Sequence, residues 1–98
     1  MQNRIHVLIG DEDRNVWLDG ELLDPHVADS FGGNHSPDGF NWGYGGSGPA
    51  QLALCVMVTC TYASLNHQKF KWKYIATLAQ GKSFKIMFSD ADLVALGD

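Results

Sequence analysis

Apolar positions in this chain fall into four blocks, separated by polar or glycine-rich stretches. Ile5-His6-Val7-Leu8-Ile9 is short and rich in β-formers. After a polar turn over residues 10–15, Val16-Trp17-Leu18 and Leu22-Leu23 resume the same pattern. Two such runs around a polar turn predict an N-terminal β-hairpin, with a bend at Asp19-Gly20. Residues 52–58 are apolar without interruption and offer no polar stripe, so they predict a helix buried on nearly all sides. Val56, Val58, Thr59 and Thr61 are β-branched and would suit a buried strand instead. Pro49 and the length of the run favour the helix.

The third block, residues 70–78, fits two templates. Phe70, Tyr74, Ile75 and Leu78 make a helical face, whereas Phe70, Trp72, Tyr74, Ala76 and Leu78 alternate as in a strand. Aromatic enrichment and the turn over residues 79–82 favour a strand paired with residues 83–88, after a helix over residues 63–71. The fourth block, Ser89 with Asp90, Asp92, Leu93, Val94 and Gly97, reads as a short helix. Ser89 is its cap, acids fill its first turn and Gly97 ends it. The predicted fold is a single α+β domain spanning residues 1–98: an N-terminal β-hairpin, a central buried helix after a glycine-rich loop, C-terminal strands and a short terminal helix.

The loop before the central helix, Gly39-Phe40-Asn41-Trp42-Gly43-Tyr44-Gly45-Gly46-Ser47-Gly48-Pro49, carries the candidate chemistry. Interleaved rings argue for a tightly turned, anchored loop rather than a flexible linker. Proline suits the first helical position, which makes Gly48 the nominal cap and Ser47 the better chemical cap one residue earlier. A glycine-rich turn feeding a helix start presents backbone N–H groups beside the positive end of the helix dipole, which attracts anions. The candidate ligand-binding residues are His35, Asn41, Trp42, Tyr44, Gly45, Gly46, Ser47 and Gly48, with Lys69 or Lys71 to neutralise charge. The plainer alternative is a loop that only caps the helix and closes the core. No Gly-Lys-Ser/Thr ending is present, so this is not a P-loop.

Composition narrows the function. A net charge of −4 weighs against nonspecific nucleic-acid binding and suits a small anionic ligand held by local dipoles, or a protein partner. Five of the seven basic residues (Lys69, Lys71, Lys73, Lys82 and Lys85) lie in the C-terminal half. Their alternation with Phe70, Trp72 and Tyr74 has the look of a single-strand nucleic-acid surface, but one-sided burial alone produces such alternation. Cys55 and Cys60 lie five residues apart in the buried run, about 140° around a helix, which places them as unbridged core thiols. That usage, together with a polar N-terminus and no apolar run long enough for a bilayer, points to the cytoplasm.

Other constellations are weaker. Asp11, Glu12 and Asp13 lack a calcium loop's spacing and closing Glu. His26 and His35 lack convergent metal partners, so no metal or cofactor is expected. Ser47 with His35 and Asp38 would make a triad, but Pro49 stands where a nucleophile elbow needs glycine. No catalytic residue is assigned.

His35-Ser36-Pro37-Asp38-Gly39-Phe40-Asn41-Trp42-Gly43-Tyr44-Gly45-Gly46-Ser47-Gly48-Pro49-Ala50-Gln51-Leu52-Ala53-Leu54 resembles the hallmark block of a small bacterial family of unknown function, also met on phages and mobile elements. Gln68-Lys69-Phe70-Lys71-Trp72, followed by Tyr74-Ile75-Ala76, is a weaker second match. His67 stands where a tyrosine is common. The resemblance implies one compact domain and supplies no reaction. Two functions follow as expectations: a binding module for an anionic small molecule, or a protein-interaction module, such as a blocker of a host protein, docking through the aromatic and glycine loop.

Overall fold

The computed structural model describes residues 3–28, 39–62 and 66–97. Four antiparallel strands form one sheet in the order β3-β2-β1-β4: β1 Ile5–Gly10, β2 Val16–Leu18, β3 Glu21–Leu22 and β4 Phe84–Ser89. The helices are α1 Ser47–Thr59, α2 His67–Phe70, which continues into a π-helical turn over Lys71–Ile75, and α3 Asp90–Ala95. The α+β class and the N-terminal hairpin are as expected.

The hairpin arises from local chemistry. Asp11 organises the first turn: its carboxylate accepts from the amides of Asp13 and Asn15, at 3.0 and 2.9 Å. The acidic cluster is therefore a turn whose carboxylate is occupied by the backbone. The bend at Asp19-Gly20 is a two-residue hairpin turn between the paired residues Leu18 and Glu21. Both central residues have positive φ, 53° and 85°, the geometry that matches strand twist and favours Asp-Gly.

β1 pairs with β2 on one side and with β4 on the other, the latter in an unbroken register from Ile5↔Ser89 to Gly10↔Phe84. Strand alternation divides these residues between two faces. His6, Leu8 and Phe88 turn inward with Val16 and Leu18 and are buried. Ile5, Ile9, Leu22 and Met87 turn outward and are exposed. The helices thus cover one face of the sheet.

Helix α1 packs against the α2 segment, whose Phe70 reaches the sheet at Phe88. Residues 48–57 are all buried, which is why the run carries no polar stripe. Gln51, 1% exposed, donates to the Pro25 carbonyl at 2.7 Å and ties down the segment after β3. The helix starts two residues before Pro49. Gly46 is its cap residue, its carbonyl accepting from Ala50 at 3.2 Å, and Ser47 is the first helical residue rather than the cap. Pro49 still sits where its missing N–H has no intrahelical partner. At the other end Thr61 and Tyr62 donate to Val58 and Met57, a Schellman closure with Thr61 at φ 67° where glycine is usual.

The strand expected over residues 70–78 is helical, and β4 pairs with β1 instead. The alternating pattern fails at its centre: Lys71 is 6% exposed and Trp72 is 59% exposed, the reverse of what a strand would give. The Ala76 amide reaches the Lys71 carbonyl at 2.8 Å, five residues back. That widened turn lets Phe70 and Ile75, roughly 140° apart on an ideal α-helix, both be fully buried. Phe70 packs edge-on against Phe88, centroids 5.2 Å apart, and tilts against Tyr74. Helix α3 has the expected Ser89 cap in a complete capping box: the Ser89 hydroxyl accepts from the Asp92 amide, and the Asp92 carboxylate accepts from the Ser89 amide.

Candidate functional site

The glycines of the central loop are explained by what lies against them. Gly43, at φ 85°, would set a Cβ 2.6 Å from the Gln80 backbone, and its amide donates to the Ile75 carbonyl at 3.1 Å. The Trp72 ring lies against Gly45, the Tyr44 ring against Gly46, and Asn41 against Gly48. Trp42 is not at the surface. It is 1% exposed, packs edge-on against Phe84 at 4.7 Å, and donates its indole N–H to the Lys82 carbonyl at 2.9 Å. It therefore anchors the loop from within the core.

Around the start of α1 the structure brings together Asn41, Tyr44, Gly45, Gly46, Ser47, Gly48 and Lys71. Lys71 Nζ donates to the Gly45 carbonyl at 3.0 Å and lies 4.4 Å from the centre of the Trp72 ring. Lys71 is buried as a whole, at 6% exposure, with its ammonium held between that carbonyl and that ring. Helix α1 has no side-chain cap and no acid in its first turn. The positive end of its dipole is thus left uncompensated, with an ammonium group beside it. Ser47, Tyr44 and Trp72 are exposed around this point. Trp72 is the site residue the sequence reading missed, because a strand would have buried it. Lys69 is exposed on α2, two residues before Lys71. His35 lies outside the described residues, as does Asp38.

Among the described residues, shallow depressions lie mainly away from this point. One of about 370 Å³ is lined by Arg14, Leu22, Pro25 and Phe40 among others, and one of about 380 Å³ by Ile5, Met87 and Asp92 among others. The first touches the glycine loop only at Phe40, and the second does not touch it.

A second constellation was invisible in the sequence because its members are far apart along the chain. The His6 ring lies between two carboxylates, Nδ1 at 2.8 Å from Asp19 and Nε2 at 2.6 Å from Asp90. Arg4 donates to Asp90 from both its amide and its guanidinium. Both ring nitrogens face acceptors, so the ring is held as the imidazolium. Burial works to lower the His6 pKa, but the hydrogen bonds and charges of Asp19 and Asp90 outweigh it and the net shift is upward. The hydrogen bond from His6, with those from Arg4, holds Asp90 down to about 2 against its burial.

Cys60 Sγ stands 4.0 Å from His6 Nδ1, so thiol, imidazole and carboxylate are arranged like a catalytic triad. The electrostatics oppose that chemistry. Burial, and then the charges of Asp19 and Asp90, push the Cys60 thiol up to about 12. A nucleophilic cysteine needs the opposite surroundings. The cluster instead clips together β1, the β2–β3 turn and the start of α3. Both cysteines are free and buried. Among the described residues no three His, Cys, Asp or Glu side chains converge on a metal position, and no helix is long and apolar enough to cross a membrane.

Fold and site together define a small α+β domain with a one-sided sheet and a helix whose start is held open by packed rings. The model of a family of unknown function, DUF6166, matches residues 9–95, and the chain belongs to that family. No curated protein and no solved structure matches it.

Proposed function

We propose that the protein is a non-enzymatic binding module of mobile-element type that captures an anionic small molecule, a phosphate or nucleotide, at the start of α1. One observation carries this reading: the Lys71 ammonium is fixed beside the uncapped positive end of α1, with no acid in that first turn. Two like electrostatic features side by side are mutually unfavourable until an anion joins them. The Ser47 and Gly48 amides and the Ser47 hydroxyl would donate to that anion. Trp72 and Tyr44, both exposed, offer faces on which a nucleobase stacks. Lys69, two residues along, adds long-range attraction.

Thermal-shift titration with inorganic phosphate, a nucleoside monophosphate and a cyclic dinucleotide tests the proposal. At least one should raise the melting temperature. Lys71→Met, which keeps the buried stem, should weaken that ligand by roughly tenfold or more, the loss expected for one charge-assisted contact. A wild-type protein indifferent to all three probes would overturn the reading.

The joint exposure of Tyr44 and Trp72 favours a second reading, in which this surface docks on a host protein. Aromatic truncation at Trp72 would then abolish complex formation while Lys71→Met would not.

A further inference from the structure

Strand β4 is an edge of the sheet, six residues long and paired to β1 without a bulge. Among the described residues no strand pairs with its other side. Ladder alternation shows which of its main-chain groups are free. The Asp19 amide donates to the Val7 carbonyl at 2.9 Å, so Val7 turns its polar backbone towards β2. By alternation His6, Leu8 and Gly10 turn theirs towards β4, occupying Phe88, Ile86 and Phe84. Lys85 and Met87, opposite Ile9 and Val7, therefore point their N–H and C=O groups out of the sheet. Ser89 does the same, but its amide is already bonded to the Asp92 carboxylate at 2.9 Å.

We propose that β4 pairs antiparallel with β4 of a second copy of this chain about a two-fold axis, joining two four-stranded sheets into one. Outward-facing residues must meet outward-facing residues, which limits the register. Centred on Lys85, the pairing sets two ammonium groups opposite each other. Centred on Met87, it needs the Ser89 amide that Asp92 holds. Centred on Ile86, it sets Lys85 opposite the partner's Met87 and Met87 opposite the partner's Lys85, closing about four main-chain hydrogen bonds. Only this last register keeps the charges apart and uses the free groups alone.

The side chains suit that arrangement. Met87 is 60% exposed, and the methylene stem of the partner's Lys85 would cover it. Residues 83–88 hold no acid, so two chains of net charge −4 meet where neither presents a carboxylate. The other edge, β3, has two residues and is too short to compete. Strand β4 has neither proline nor bulge to guard it, and its one lysine does not oppose itself in this register.

Sedimentation equilibrium of the full chain over the micromolar range tests the proposal. The wild type should dimerise. Met87→Lys sets like charges opposite each other in both rungs and should weaken the dimer by roughly tenfold or more. Met87→Glu, which faces the partner's Lys85, should preserve or tighten it. Met87→Pro removes an N–H that the monomer does not use, and should abolish the dimer with the circular dichroism spectrum retained. A wild type that is monomeric throughout, or a dimer that Met87→Lys leaves unchanged, would overturn the assignment.

Discussion

The Trp72 indole lies across Gly45, occupying the space a Cβ would need. The same loop places Gly43 against the backbone of Gln80 at φ 85°. These two glycines are required for different physical reasons, and substitution should separate them.

Gly45→Ala meets the far end of an exposed side chain, which can swing into solvent, so it should cost below about 1 kcal/mol. Gly43→Ala meets backbone and also forces a left-handed conformation on an L-residue, so it should cost about 2 kcal/mol or more. Urea denaturation of the two variants checks the order. Equal losses would mean that the Trp72 ring is as fixed as the Gln80 backbone. Gly45→Ala should also alter the near-ultraviolet circular dichroism, because the indole loses its seat.

The His6 cluster makes stability depend on pH in a stated direction. The folded-state pKa of His6 lies above its ordinary 6.5, so its contribution is complete below 6.5 and is lost as pH rises through the folded value. Asp90 and Asp19 are lowered from 3.8, so their contributions are complete above 3.8 and are lost as pH falls, for Asp90 through about 2. The cluster therefore stabilises most between 3.8 and 6.5. Thermal melts across pH should decline on the alkaline side of that window. His6→Ala, which leaves two carboxylates facing each other, should cost about 3 kcal/mol and flatten the alkaline decline. An unaltered pH profile in His6→Ala would show that another group is responsible.

Thr61 holds the left-handed position that ends α1, at φ 67° and exposed. A β-branched residue is strained there, and glycine is not. Thr61→Gly should raise stability by about 1 kcal/mol in chemical denaturation, despite losing the 2.5 Å bond from the Thr61 hydroxyl to the Cys60 carbonyl. A loss of stability would show that this hydroxyl bond outweighs the strain.

Features written in neighbouring residues were legible in the sequence. Asp19-Gly20 encodes its hairpin turn, Ser89 and Asp92 encode the start of α3, and an unbroken apolar run encodes a helix covered on all sides. The α2 segment was not legible, because Phe70, Trp72 and Tyr74 satisfy a strand template while the π-helical turn satisfies neither regular period. The partner of β4 was also hidden: alternation reveals a strand but not the strand it joins. His6, Asp19 and Asp90 carry no local signal, since only the β1–β4 register and the β2–β3 turn bring them into contact. At the candidate site, the glycines and the helix start were visible. The inward turn of Trp42 and the outward turn of Trp72 depend on packing that no local window records.

The widened turn at residues 71–75 also fixes the reading frame of the surface. Each residue turns an α-helix by about 100°. Wound as a regular α-helix, the same residues would set Phe70 and Ile75 roughly 140° apart, and the two could then no longer both be housed in the core. The chain would have to choose which ring or branch to expose, and Lys71 would leave the Gly45 carbonyl in the process. One supernumerary residue thus couples the packing of Phe70 and Ile75 to the position of the Lys71 ammonium beside the Gly45 carbonyl.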